Sequence, residues 1–132
     1  MNLLDTAVCI DILRDRSPAV VKRLDAAGYS QVAMSSISAG ELFAGAMKSS
    51  RPRENLFAVG RLLSAIRALS FDGEAARNYG FVRAQMQRRG ERIGDLDTLI
   101  AGHAVALGAV MVTSNTREFA RVPGLVVEDW TK

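Results

Sequence analysis

The amino-acid sequence predicts an α/β fold in which a mostly parallel sheet is covered by helices on both faces. Three observations predict it. Short apolar runs of strand length alternate with longer stretches of helical periodicity. Glycine, proline and serine mark the joins between them. The chain has 132 residues, 48% of them apolar, which suits one core and is too short for two. We therefore treat residues 1–132 as a single domain.

The elements follow in order. Leu3 and Leu4 begin a strand that runs into Asp5, and a helical pattern covers 7–13. Ser17 followed by Pro18 is a helix start, with serine as cap and proline at the first helical position; that helix should end near Gly28. Residues 31–34 alternate like a strand and lead through a serine-rich turn into a helix over 38–47. A further helix over 52–66 places Leu56, Val59, Leu62, Leu63 and Ile66 on one face. A short strand over 68–71 closes at Asp72-Gly73. The helix over 74–89 stops at Gly90, and Gly94-Asp95 opens the next, which runs to Leu107 and is capped by Gly108. Strands over 110–113 and 125–128 complete the chain. In such sheets chemistry gathers at the carboxyl ends of the strands, near the point where strand order reverses.

Composition narrows the function classes. The net charge of +3 is a mild pointer to a polyanionic partner. Lys48, Arg51 and Arg53 form one basic cluster, and Arg83, Arg88, Arg89 and Arg92 form another. Each reads equally as a solvated helix face or as an RNA-binding rim. The single cysteine, Cys9, has no partner for an internal disulfide and sits among apolar neighbours, so an inert buried thiol in a reducing cytoplasm is expected. No apolar run approaches a membrane span, and the N-terminus lacks a signal-peptide pattern.

The chemistry lies in the acids. Asp5 ends an apolar strand, where a carboxylate is poorly solvated; capping the helix from Ala7 is the structural alternative. Glu41 follows Ser38 by three residues, the spacing of a capping box, yet it shares a helix face with Ala44 and Gly45. A small-residue stripe would let that helix press on the sheet and carry Glu41 inward. Asp97 heads a similar stripe, Ala101, Ala104 and Gly108. Asp95 points about 200° away from Asp97 on a regular helix, so Asp95 is read as the cap, or as a water-mediated contributor, and Asp97 as the functional acid. Three carboxylates meeting at one rim would repel, and a hard divalent cation relieves the repulsion. Oxygen-only ligation without a His or Cys cluster favours Mg²⁺ or Mn²⁺ over zinc. Acids, such an ion and a phosphate together serve phosphodiester hydrolysis. His103 stands about 240° around the helix from Asp97 and is read as a packing residue, and Trp130 as an anchor for the C-terminus.

Read together, these segments resemble the PIN-domain nucleases, and among them the VapC-type toxins. Leu4-Asp5-Thr6 is similar to the family's opening motif. Ser35-Ser36-Ile37-Ser38-Ala39-Gly40-Glu41-Leu42 with Gly45 is similar to the second, and Asp97-Thr98-Leu99-Ile100-Ala101-Gly102-His103-Ala104 to the third. Val112-Thr113-Ser114-Asn115-Thr116-Arg117-Glu118-Phe119, Val122-Pro123-Gly124-Leu125 and Glu128-Asp129-Trp130 resemble the closing stretch. The resemblance spans the chain and implies a three-layer α/β/α fold. It implies that Asp5, Glu41 and Asp97 are the metal-site acids, supported by the hydroxyls of Thr6 and Thr113. The family often has a fourth acid where this chain has Asn115; Glu118, one turn on, is a possible substitute. The usual Asn after the first motif is Ala7 here, which leaves the capping of the first helix open. The resemblance further implies an RNA substrate, tRNA in particular, a VapB-type antitoxin and a homodimer.

Other readings are weaker. Aspartyl-phosphate phosphatases want a second Asp at the position of Ala7, and receiver domains want a Lys where Ser114 and Asn115 stand. No glycine-rich turn follows the first strand, against a dinucleotide site. A PIN fold that has lost catalysis and serves as an RNA-binding scaffold is the remaining alternative, favoured by Ala7 and Asn115.

Overall fold

A computed structural model describes residues 1–132. Five strands, β1 (Asn2–Leu4), β2 (Val32–Ser35), β3 (Arg67–Leu69), β4 (Val110–Val112) and β5 (Val126–Glu128), form one sheet in the order β3-β2-β1-β4-β5. Every pairing is parallel. Helices α1 (Thr6–Leu13), α2 (Pro18–Ala27), α3 (Ser36–Lys48) and α4 (Pro52–Ala65) precede the return to β3. Helices α5 (Gly73–Arg88), α6 (Asp95–Leu107) and the short α7 (Thr116–Phe119) follow it.

Side-chain alternation along the strands separates two cores. Leu4, Val32, Met34 and Val112 face α1–α4 and pack with Val8, Val20, Leu24, Leu42, Val59 and Trp130. Leu3, Ala33 and Met111 face the other way and pack with Val82, Met86, Ile100, Ala104 and Phe119. The expected three-layer arrangement is therefore present. Strand order reverses between β1 and β4, because the chain first winds outward to β3 and then crosses to the other side of β1. The backbone is stitched there by Asp5 N–H to Val112 O at 2.9 Å and by Thr113 N–H to Glu128 O at 3.0 Å.

Several boundaries differ from expectation. The Ser17 hydroxyl does cap α2, accepting from Val20 N–H, and Gly108 does end α6 with left-handed backbone, φ 61°. Helix α3, however, starts at Ser36 rather than Ser38, because Ser35 caps it by accepting from Ile37 N–H. The third strand lies at Arg67–Leu69, leaving Phe71 free to meet His103 edge to face with ring centroids 5.5 Å apart. The one-turn helix α7 and a 3-10 turn over Tyr29–Gln31 carry no periodic signal at that length and were not expected. Helices α5 and α6 form a tight antiparallel hairpin. A Cβ at Gly102 would lie 2.5 Å from Tyr79 Cα, a contact that only glycine allows.

Candidate active site

Asp5 follows β1 directly and is buried. It occupies the cap position of α1, but its side chain makes no capping bond. Its Oδ2 instead accepts from the Thr113 hydroxyl at 2.9 Å, across the gap between β1 and β4. The capping alternative for Asp5 therefore fails. Thr113 is fully buried after β4, and its hydroxyl oxygen also accepts from Asn115 N–H at 3.0 Å.

Glu41 is placed by α3. Because that helix begins at Ser36, Glu41 stands more than one turn inside it, and the capping-box reading is overturned. Its Oε1 accepts from Thr6 at 2.7 Å. One hydroxyl carries one hydrogen, so the 2.9 Å contact between Thr6 and Ser38 uses the Ser38 hydrogen. The small-residue stripe does not press on the sheet, since Ala44 and Gly45 are exposed; Ala39, Leu42 and Ala46 make that contact. Gly45 and Glu41 line instead an open cleft of about 190 Å³ shared with Ile10, Arg14 and Asn55.

Asp97 sits in the first turn of α6, half-buried, with its Oδ2 3.4 Å from where a Cβ on Gly94 would be. Gly94, not Asp95, occupies the cap position. Asp95 is the first helical residue, exposed and 3.7 Å from Arg92, so the expected cap is corrected to a surface ion pair. Glu118, on α7, receives a hydrogen bond from the Asn115 side chain.

The acids share one electrostatic environment. Burial, and after it the negative charges of Asp5, Glu118 and Glu41, together push the Asp97 carboxyl up to about 6. Asp5 is raised first by burial, against the lowering effect of its bonds from Thr113 and Thr6 N–H; Glu41 and Glu118 add repulsion. Asp5, Glu41, Asp97 and Glu118 thus stand near enough to repel one another, with Asp5 itself at the carboxyl end of β1 beside β4, where strand order reverses. As the side chains stand, no three His, Cys, Asp or Glu groups are arranged around a single ion position. The donor set is nevertheless oxygen throughout, and repelling acids of this kind suit a hard cation.

Glu118 is the acid at the site that sequence reasoning placed least firmly. Its signal was only the one-turn spacing from Asn115, which is weak without knowledge of α7. Arg83 and Arg92 line a second cleft beside the α6 N-terminus, and Arg89 donates to Arg121 O next to α7 at 3.3 Å. Arg88 is exposed at the end of α5. The second basic cluster therefore borders the same end of the sheet as the acids. His103 is buried, with Nδ1 2.9 Å from Ser35 Oγ, and burial lowers its pKa; it packs, as expected. Cys9 is buried and its thiol is pushed up to about 12, so it is inert. Trp130 is buried, donates to Glu128 and lies under the Arg23 guanidinium, anchoring the C-terminus. No helix is long and apolar enough to cross a membrane.

Comparison with known proteins agrees with this fold. The sequence profile described as PIN domain matches residues 3–125. The chain is 40% identical to the tRNA(fMet)-specific endonuclease VapC of Shigella flexneri over 98% of its own length and 97% of that protein. It is 34% identical to Ribonuclease VapC2 of Rickettsia felis over 98% of both chains. Among solved structures it matches a chain of the DNA-bound VapBC complex of Salmonella typhimurium, with TM-score 0.94 and 40% identity. That match covers 98% of this chain and 97% of that one. FitAcB of Neisseria gonorrhoeae matches with TM-score 0.86 and 27% identity over 98% of each chain. Fold, strand-end acids and near full-length similarity together show that this chain belongs to the PIN-domain family, within its VapC group.

Proposed function

We propose that this protein is a metal-dependent endoribonuclease, the toxin of a VapBC-type toxin–antitoxin pair. It hydrolyses phosphodiester bonds in RNA, with tRNA as the substrate class, and stops translation and growth until a VapB-type antitoxin binds. The observation that carries the reading is the mutual repulsion of Asp5, Glu41, Asp97 and Glu118 near the β1/β4 switch point, which adds to burial in raising both Asp5 and Asp97. The names of the relatives support the activity and the tRNA substrate, and the VapBC complexes support the antitoxin. The same resemblance supports a homodimer.

Asp5 and Asp97 would hold Mg²⁺ or Mn²⁺, with Glu41 and Glu118 completing the donor set. When bound, such an ion supplies Lewis-acid stabilisation of phosphoryl charge and a more acidic water. The chain's own groups prepare the site. Thr113 keeps Asp5 oriented, and Thr6 does the same for Glu41. Asn115, in place of the family's fourth acid, turns Glu118 by donating to it. Arg83, Arg88, Arg89 and Arg92 offset the acids' repulsion of a polyanion and hold phosphates in register. The scaffold alternative loses its main support here, since Glu118 brings a fourth carboxylate where Asn115 brings none.

Expression of the protein alone should arrest growth, with cleaved tRNA in the arrested cells. Co-expression of the gene product encoded beside it should restore growth. Unimpeded growth despite verified expression of folded protein would overturn the proposal.

A further inference from the structure

The cleft between the last turns of α5 and the first turn of α6 has a volume of about 210 Å³ and is lined by Arg83, Glu91, Arg92, Asp95 and Thr98. Three features set it apart from a solvated surface. Arg83 is held in place, because its Nη1 donates to the Tyr79 hydroxyl at 2.5 Å and its guanidinium lies 6.0 Å from that ring. The Tyr79 backbone in turn packs closely against α6 at Gly102. Arg83 makes no ion pair, which leaves its remaining donors free. Glu91 supplies the third feature. Its Oε2 is the one buried side-chain oxygen or nitrogen in the molecule without a hydrogen-bond partner. A buried acceptor without a donor carries a desolvation cost, which a turn of the Glu91 carboxylate toward a donor in the cleft would relieve.

Two arginines and two carboxylates balance in charge, so a bare phosphate gains little there. A nucleotide gains more, because it offers a phosphate to arginine and an O–H or N–H to Glu91. Asp97 stands on the same first turn of α6 as Asp95 and Thr98, so the cleft adjoins the turn that carries it. We propose that the α5–α6 cleft is a nucleotide subsite flanking the cleaved bond. Arg83 takes the phosphate, Glu91 accepts a hydrogen bond from the ribose 2′-hydroxyl or the base, and Tyr79 is the positioning residue for Arg83. This rests on the RNA-cleavage reading above.

The test measures binding and cleavage separately. In a D97N background, labelled tRNA should bind about tenfold more weakly with each of Y79F, R83A and E91A, the loss of one hydrogen bond to a charged group. Y79F should add nothing once R83A is present, which a merely structural tyrosine would not produce. With Asp97 intact, the three changes should raise KM and leave kcat within about twofold. Substrates carrying single 2′-deoxy sugars or single base exchanges around the cut identify the donor. One such change should cost wild type about tenfold and cost E91A nothing, and whether it is a sugar or a base names the source. Unchanged tRNA affinity in all three folded variants, or their failure only against a protein partner, would overturn the subsite. Wild type that binds tRNA through these residues but cuts no RNA would instead defeat the proposed activity and leave the subsite standing.

Discussion

Thr113 donates its hydroxyl hydrogen to Asp5 Oδ2 over 2.9 Å, joining two buried residues that are 108 positions apart in the chain. The bond spans the switch point of the sheet and opposes the upward push of burial on Asp5. Thr113→Val should remove it and also leave Asn115 N–H without its acceptor. A loss of about 1–3 kcal/mol in stability is expected, the cost of buried polar groups left unpaired. Asp5 should titrate higher still, so activity should appear at higher pH than in wild type. Urea unfolding and a pH–rate profile that both match wild type would contradict this.

The raised carboxyl of Asp97 makes a prediction about pH. Its folded value, about 6, lies above the ordinary value of 3.8, so between these two pH values the folded state binds more protons than the unfolded one. The group's contribution is therefore most favourable below about pH 4 and is lost as pH rises through 6. In chelator, raising pH from 4 to 7 should lower Tm less in D97N than in wild type. Added Mn²⁺ should stabilise wild type more at pH 7 than at pH 5, because protons compete for the same oxygens. Equal pH dependence in the two proteins would show that Asp97 titrates normally.

Gly102→Ala should destabilise the α5–α6 hairpin. The added Cβ would meet Tyr79 Cα at 2.5 Å, a backbone atom that cannot rotate away. Overpacking of this kind costs about 1–3 kcal/mol. A urea midpoint equal to wild type would mean that the helices separate more easily than their contact suggests.

Neutralising Arg88, Arg89 and Arg92 together should weaken RNA binding across many sequences. The dependence of log affinity on log salt should flatten by about 2, from three phosphate contacts at roughly 0.7 each on a single strand. The choice of cleavage site should change less, because phosphate contacts carry little sequence information. Identical salt slopes would reduce these arginines to solvated helix-end charges.

Much of the fold was legible because it rests on local rules. Leu3 and Leu4 point to opposite cores as strand periodicity requires, and Ser17-Pro18 starts α2 where capping chemistry places it. The start of α3 was not legible, because three nearby serines compete for the cap. Tertiary contacts decide it: Ser36 accepts from Phe71 N–H, Ser38 contacts Thr6, and Ser35 is left to cap. The small-residue stripe beside Glu41 does not carry it inward, since Ala44 and Gly45 are exposed and Gly45 lines a cleft. Asp95 looked like a cap because it heads a helix, but Gly94 leaves the space over which the Asp97 carboxylate folds back. Glu118 depended on a four-residue helix too short to announce itself.

The most direct test is cleavage of purified tRNA by wild type, D95N and D97N, each with Mg²⁺ and with excess EDTA. Wild type should cut only with Mg²⁺, and D97N should be inactive in both while unfolding like wild type. D95N should retain most activity, since it loses only an exposed ion pair with Arg92, worth at most about 1 kcal/mol. Cleavage by wild type in EDTA, cleavage by D97N, or a D95N defect as deep as that of D97N would contradict the assignment of the acids.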